Sequence, residues 1–503
     1  MIIFALTIKQ LNTKTMRKIS LWLFFLCVLP SQAADNPYKK YTVGLPFTMT
    51  ELKTPVIPER RLVLDRALGQ NDRLCTDAFQ QSIDRLAEQG GGHLVVPAGV
   101  WLTGPIVLRS NIDLHLEKGA VIQFAADESL YPLVKTSFEG LDTRRCQSPI
   151  SGLNLENVSI TGQGVIDGNG QYWRPVKKSK VTDSHWKSLL EQPGSQELRK
   201  GYWVPSASYA HGEAKANMNV PDAQNEEEWQ KMKRFLRPVM VSLVGCKNVL
   251  LKGVIFQNSP AWNLHPLMCE NIIIDDVLVR NPAYAQNGDA LDLESCRNAL
   301  IVNSKFDAGD DGICLKSGKD ADGRRRGRPC ENVVVDGCTV FAGHGGFVVG
   351  SEMSGGVKNI KVSSCQFVGT DVGLRFKSTR GRGGIVENIF IDGITMTDIA
   401  TYALTFNMHY GGKSVAEVLA EEGSNTVKEI AMPVSEETPI FRNIDIRNVV
   451  CHRAGIAMEF NGLPEMPIQG INLKNIYISA GKEAEFKYSE NITQDNVNID
   501  IIK

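Results

Sequence analysis

Short apolar runs alternate with Asn, Gly and Asp along most of the chain, and one motif keeps returning. Asn157-Val158-Ser159-Ile160 is followed by Asn248-Val249-Leu250-Leu251, Asn271-Ile272-Ile273-Ile274, Asn298-Ala299-Leu300-Ile301 and Asn332-Val333-Val334-Val335, with further copies at Asn359, Asn388 and Asn443. From Asn248 onward the spacings are 23, 27, 34, 27, 29 and 55 residues, the last about two units. Val- and Ile-rich runs bounded by turn residues read as strands. One such unit cannot bury its own apolar face, so units must stack. Stacking sets strands of neighbouring coils about 4.8 Å apart in long parallel sheets. Asn suits the turns because it tolerates left-handed dihedrals, and in register the asparagines can form a ladder. The pattern therefore predicts an all-β fold, a right-handed single-stranded parallel β-helix. A leucine-rich repeat would need a helix-forming or Leu-rich segment in every unit, and none is present.

The ends and interruptions fit that fold. Residues 76–89 read as an amphipathic capping helix, with Thr76 as N-cap, Phe79, Ile83 and Leu86 on one face, and Gly90 past the end. It would cover the open N-terminal edge of the sheets. The repeat breaks at 177–237, a polar stretch with Trp186, Trp203, Trp229 and a helical segment near 225–235, and again at 411–437. Both read as insertions on the coil stack. A length of 503 residues would suggest three domains at about 150 residues each, but a repeat fold grows without a second core. Residues 34–503 are expected to be one catalytic domain.

Composition adds limits. The chain is 43% hydrophobic and 22% charged, which is globular. Its net charge of −1 supplies no global field for nucleic acid, so any basic character is local. Arg17 and Lys18 precede the apolar run 19–29, Pro30 breaks it, and Ser31-Gln32-Ala33 offers small residues for cleavage. This reads as a secretory signal over residues 1–33, with Met16 at the place where such a leader would begin. The run is too short to span a bilayer of roughly 30 Å, and Cys27 does not follow a clean lipidation pattern. Export to the periplasm or medium is expected. Ten cysteines remain after cleavage, a count that admits disulfides. However, Cys246, Cys269, Cys296 and Cys330 each stand two residues before a repeat asparagine. Stacked free thiols are the preferred reading, and one or more disulfides the alternative.

Unusual residues concentrate in one stretch: Asn287-Gly288-Asp289, Gly309-Asp310-Asp311-Gly312, Gly343-His344-Gly345 and Arg375-Phe376-Lys377. The gaps Asp289 to Asp310, Asp310 to His344 and His344 to Arg375 are 21, 34 and 31 residues, each close to one coil. Singly, each motif reads as a turn or a solvated strand; together they would stack on one face of the rod. Glycoside cleavage needs one carboxylic acid to protonate the leaving oxygen and another carboxylate to activate water. Crowding raises the pKa of one of them. Asp310 and Asp311 can both face a cleft only at a bend or bulge, which the flanking glycines permit. Arg375 and Lys377 share a strand face and can hold a uronate carboxylate. No His/Cys cluster has metal-ligand spacing, so no cofactor is expected.

At these residues the chain resembles glycoside hydrolase family 28, the polygalacturonase family, whose motifs are Asn-Thr-Asp, Asp-Asp, Gly-His-Gly and Arg-Ile-Lys. The resemblance covers roughly residues 60–480 and implies inverting hydrolysis of α-1,4-galacturonosidic bonds in pectin. It implies Asp310 as general acid, Asp289 and Asp311 as the groups that position and deprotonate water, and His344 as support for the acid. Asn287, Arg375, Lys377 and, more weakly, Tyr410 would bind substrate. Gly288 replaces the family Thr and loses a hydroxyl beside Asp289; Phe376 replaces Ile. Lys316, Lys319 and the run Arg324-Arg325-Arg326-Gly327-Arg328 form a basic loop that could reach a polyanion or be a solvated turn. Both insertions are expected to wall one end of the site and give exo-cleavage, the alternative being that both sit on the opposite face of the rod. The rivals are a rhamnogalacturonan hydrolase of the same family, a calcium-dependent pectate lyase, and a non-catalytic β-helix.

Overall fold

The computed structural model describes residues 36–70, 73–217, 219–411 and 430–502; the leader expected at 1–33 and positions 412–429 of the second insertion lie outside the described residues. From Tyr38 onward the chain forms one compact unit. It is a right-handed parallel β-helix, built from three parallel ladders that climb the rod together. One runs through Lys247–Lys252, Glu270–Asp275, Arg297–Val302 and Cys330–Asp336. A second, of short strands, runs through Ile255–Gln257, Leu278–Arg280 and Lys305–Asp307. The third, which carries the site, runs through Leu264–Leu267, Leu291–Glu294, Asp311–Lys316, Gly345–Val349 and Leu374–Lys377. Among the described residues no helix is long and apolar enough to cross a membrane.

The asparagines do what their backbone tolerance suggests. Asn111, 157, 248, 271, 298, 332, 359 and 388 all hold φ between 55° and 61°. Each amide from Asn157 to Asn388 donates to the carbonyl of the asparagine one coil below, at 2.9–3.3 Å. The ladder starts at Asn111, a coil earlier than the motif shows. The spacing of 55 is not two units, because Ile389 pairs directly with Ile444. It is a single coil lengthened by the second insertion.

Interior positions stack by type. All ten cysteines among the described residues are buried and unbridged, and the Cys269 N–H even donates to Cys296 Sγ. Phe376, Phe406 and Phe460 form a continuous interior stack with centroids 4.3 and 5.0 Å apart, which the exposed Phe486 extends at 4.9 Å. The capping helix is Thr76–Glu88, with Phe79, Ile83 and Leu86 buried. Thr76 is not its N-cap. Cys75 holds that position without a side-chain bond, and the Thr76 hydroxyl instead accepts from the Gly104 N–H, tying the helix to the first coil. A segment that the repeat did not announce lies along the outer face of the asparagine ladder: Tyr38 and Leu52 pack on Leu250, Ile273 and Leu300. That cover explains why these strands are apolar on both faces.

The first insertion is a small layer with its own packing. Val176–Lys177, Gln196–Arg199 and Tyr202–Val204 form an antiparallel sheet. The helices are Asp183–Leu190, Ala207–Lys215 and Glu226–Lys231, so the helix expected near 225–235 is shorter than its pattern. Trp186 and Trp203 share one cluster, while Tyr131, Trp173, Tyr209 and Phe235 share another.

Replacing Asn298 tests the ladder. Asn298→Ala removes two side-chain bonds worth about 1 kcal/mol each and forces a left-handed backbone at a cost of about 1–2 kcal/mol. Asn298→Gly loses the bonds but keeps the turn. Thermal melts should show the alanine variant less stable than the glycine variant, and both below wild type. Equal losses would mean the left-handed turn is not what the asparagine supplies.

Candidate active site

The third ladder brings the motif residues together by register. Leu291 lies beside Ile313, and the Ala290 N–H donates to the Asp311 carbonyl, so the Asp289 loop abuts Asp311. On the next coil the His344 N–H donates to the Asp310 carbonyl at 2.7 Å. The step from Val348 to Arg375 is one coil of 27 residues, so Arg375 lies four residues further along its strand than His344. The motif residues occupy successive coils but not one level.

Asp310 sits in the bend before the strand, and Asp311 opens it. A Cβ at Gly312 would meet Val340 at 2.5 Å in the coil interior. Ile313 also faces the interior, fully buried in the core. The alternation therefore slips by one residue at Gly312, which lets Asp311 turn outward with Asp310. Gly288 fits for a similar reason: a Cβ there would meet that of Ala285 at 2.7 Å.

A cavity of about 310 Å³ is lined by Asp289, Asp310, Asp311, His344, Lys377 and Tyr410, by Trp262, and by Lys177, Arg199 and Tyr202 of the first insertion. Carboxylate oxygens of the three aspartates lie within 4.8 Å of one another. Asp311 is clamped by Lys377 at 2.6 Å and by Arg375 at 3.3 Å. Asp310 meets His344 Nδ1 at 3.0 Å. Asp289 has one buried oxygen without a protein partner and lies 3.9 Å from Lys316. Asp289 and Asp311 are almost fully enclosed, while the Asp310 side chain keeps 24% of its exposure. The three thus form two enclosed carboxylates beneath one accessible one. Tyr410 stacks its ring near Lys377 and Arg375, 5.0 and 5.6 Å from the charges.

Environment divides the three. Burial, then the charges of Asp292 and Asp310, pushes the Asp289 carboxyl well up. Burial also opposes ionisation of Asp311, but Lys377 and Arg375 outweigh it and hold that carboxyl below its ordinary value. Burial opposes ionisation of Asp310 as well. There the His344 ring, when that ring carries a charge, Lys377 and Lys180 outweigh it and draw the carboxyl far down.

Several of these residues carried no motif. Lys316 is not part of a basic loop. It is buried under Trp262 and joins Asp289, Asp292 and Glu352. Arg324, Arg325 and Arg326 end the helix Asp320–Arg326. Arg326 pairs with buried Glu294, Arg324 with Glu437, and Arg325 with Asp322. None of the arginines at 324–328 lines the cavity, so the basic run is structural. Asn287 lines the cavity, yet its amide is held by Arg237 at 2.9 Å and by Glu139 at 3.4 Å. Lys180, from the first insertion, reaches His344. Such residues arrive by the path of an insertion, and no periodicity marks them.

The sequence profile described as Glycosyl hydrolases family 28 matches residues 220–498. A probable polygalacturonase of Vitis vinifera is 28% identical over 428 residues, 83% of this chain and 74% of its own length. An exo-poly-alpha-D-galacturonosidase of Dickeya chrysanthemi is 26% identical over 72% of this chain, which spans only 59% of that relative. The crystal structure of a hyperthermoactive exopolygalacturonase from Thermotoga maritima superposes with a TM-score of 0.70 at 32% identity, covering 88% of this chain and 94% of that one.

The raised Asp289 carboxyl has a stability consequence. A folded-state value above the unfolded one favours the fold at low pH, and that contribution is lost as pH rises through the folded value. Asp289→Asn removes the ionisation penalty. At neutral pH the variant should melt above wild type, with the gap closing toward about pH 4, while turnover is lost. A variant less stable than wild type at pH 7 would mean Asp289 is held ionised.

Proposed function

Because the chain belongs to glycosyl hydrolase family 28, we propose that it hydrolyses α-1,4 bonds between galacturonate units of pectic polygalacturonan, releasing galacturonate from a chain end. The observation that carries the reaction type is the cluster of three carboxylates, one accessible and two enclosed, backed by two cations. Asp310 gives its proton to the glycosidic oxygen as the bond to C1 breaks. A water held between Asp289 and Asp311 attacks C1, and its proton passes to that pair. Lys377 and Arg375 keep Asp311 ionised, and Lys377 and Tyr410 line the cavity where the substrate carboxylate is held. Asn287 anchors the Asp289 loop. His344 supports Asp310, and the acid role requires its imidazole to be neutral when Asp310 holds the proton.

The trio's oxygens are closer together than the roughly 6.5–9.5 Å between carboxyl groups of ordinary inverting enzymes. Inversion therefore rests on the family, and the first-formed anomer tests it: proton NMR should detect β-galacturonate, whereas α would mean retention. Carboxylates this close could also surround a calcium ion, which is the lyase reading. The protein's own Lys377, Arg375 and Lys316 already supply the neutralising charge there, which favours hydrolysis. Lys377 and Arg375 also favour a uronate over a rhamnose unit. The leader supports export, and we take residues 34–503 as the mature catalytic unit.

Exo-action is supported by the wall that Lys177, Arg199 and Tyr202 build on the cavity, and by the exo-acting relatives. Viscometry beside a reducing-end assay decides it: viscosity should fall slowly as ends appear, and a collapse after few cuts would mean endo-action. Product chromatography on rhamnogalacturonan should show no cleavage.

Asp310→Asn should lower turnover by several orders of magnitude without unfolding, and activity within tenfold of wild type would remove its acid role. Arg375→Ala or Lys377→Ala should lower kcat/KM about ten- to a hundredfold, from roughly 1.5–3 kcal/mol per charge-assisted bond. Methyl-esterified substrate should be less affected; an equal response would refute carboxylate binding. Turnover should withstand chelator, and loss of activity restored by calcium would favour the lyase.

A further inference from the structure

Lys180 stands at the end of a short turn, Lys178–Lys180, inside the first insertion. Its Nζ lies 3.1 Å from His344 Nε2 and 3.5 Å from the Gly309 carbonyl, just before Asp310. We propose that Lys180 is a positioning residue: it fixes His344 as the neutral ring protonated on Nδ1, and so lets Asp310 carry the proton that it donates. This rests on Asp310 being the acid.

An ammonium has three donors and no acceptor. A contact at 3.1 Å therefore requires a lone pair on Nε2. The ring's one proton is then on Nδ1, where it donates to Asp310 Oδ1 at 3.0 Å. That leaves Oδ2 of the same carboxyl to hold a proton toward substrate. An imidazolium would instead set N–H against ammonium at the same distance, two like charges in a half-enclosed site.

The pair Asp310–His344 can hold a single proton in two ways. One is the acid with a neutral ring; the other is a carboxylate with an imidazolium, which cannot protonate a leaving group. Lys180 also favours the Asp310 carboxylate, but its ammonium sits directly against the ring, 3.1 Å from Nε2, and so disfavours the imidazolium more. The other charges around the ring do not reverse this. Asp371 reaches Nε2 only at 3.8 Å and its side chain is 31% exposed. Arg375 donates to the His344 carbonyl, and Lys377 and Arg375 offset Asp311. Asp289 is held toward its neutral form by burial. Tyr410 also has its hydroxyl held neutral, chiefly by burial.

The test compares Lys180→Met and Lys180→Arg in the full-length enzyme. The methionine variant should lose kcat about tenfold with KM within about twofold. The basic limb of its kcat–pH profile should move up, because the pair then binds its first proton as an ion pair. Arginine, also only a donor, should recover most of kcat. Side-chain ¹⁵N shifts of His344, measured without substrate, should show an unprotonated Nε2 in wild type and a protonated one in Lys180→Met. A protonated Nε2 in wild type overturns the proposal. So does a loss expressed in KM alone, which would make Lys180 a substrate ligand. An equal fall in both variants with an unmoved pH profile overturns it too. Because the nitrogen shifts need no turnover, they stand apart from the Asp310→Asn result: active Asp310→Asn with an unprotonated Nε2 would sink the acid assignment alone.

Discussion

Stacking of coils in register governs this molecule. A parallel ladder sets equivalent residues of successive coils about 4.8 Å apart, so any residue type repeated at the coil period becomes a column. Asparagine columns hold the turns, phenylalanine and cysteine columns fill the interior, and the same spacing assembles the site. Asp289, Asp310 and His344 come from three consecutive coils, and the next supplies Arg375 and Lys377. A register slip by one residue in any of them would turn a cavity side chain into the core. The break of alternation at Gly312 is a local exception, and it places two adjacent aspartates on one face.

Register alone would pile up charge. Asp289, Asp292, Asp310, Asp311 and Glu352 crowd one face, and a buried carboxylate without a partner is costly. Lys316, Lys377 and Arg375 offset most of that charge, each placed on the same ladder. The balance is uneven, and that unevenness separates roles. Asp311, between two cations, is held ionised, whereas Asp289, with Lys316 at 3.9 Å, is held toward its neutral form. At Asp310 burial opposes ionisation while His344, Lys377 and Lys180 favour it, so the surroundings of that ring bear directly on the site.

The first insertion turns an open groove into a cavity. Its antiparallel sheet presents Lys177, Arg199 and Tyr202 to the carboxylates. The hairpin Leu133–Phe138 and Leu141–Cys146 joins it, since Glu139 at its tip accepts from both Asn219 and Asn287. Insertion, hairpin and the Asp289 loop are therefore one hydrogen-bonded assembly. This couples the wall of the cavity to Asp289.

The period of the asparagines and of the Val/Ile runs determined the fold, because each coil must bury its apolar face on the next and nothing but a stack satisfies that. The same period determined which coils carry Asp289, Asp310, Asp311, His344, Arg375 and Lys377. What the period could not determine is anything placed by a departure from it. The coil of 55 residues looked like two because the insertion hides its length. The arginines at 324–328 looked like a substrate surface, but buried Glu294 and the nearby Asp322 and Glu437 engage three of them. Lys316 looked like their neighbour, but strand alternation turns it into the carboxylate cluster. Lys180, Arg237 and Glu139 had no signal, because their partners lie 50 to 164 residues away in the chain. Coil-to-coil contacts repeat and so leave a trace in the sequence; contacts made once, by an insertion folding back, exist only in the tertiary structure.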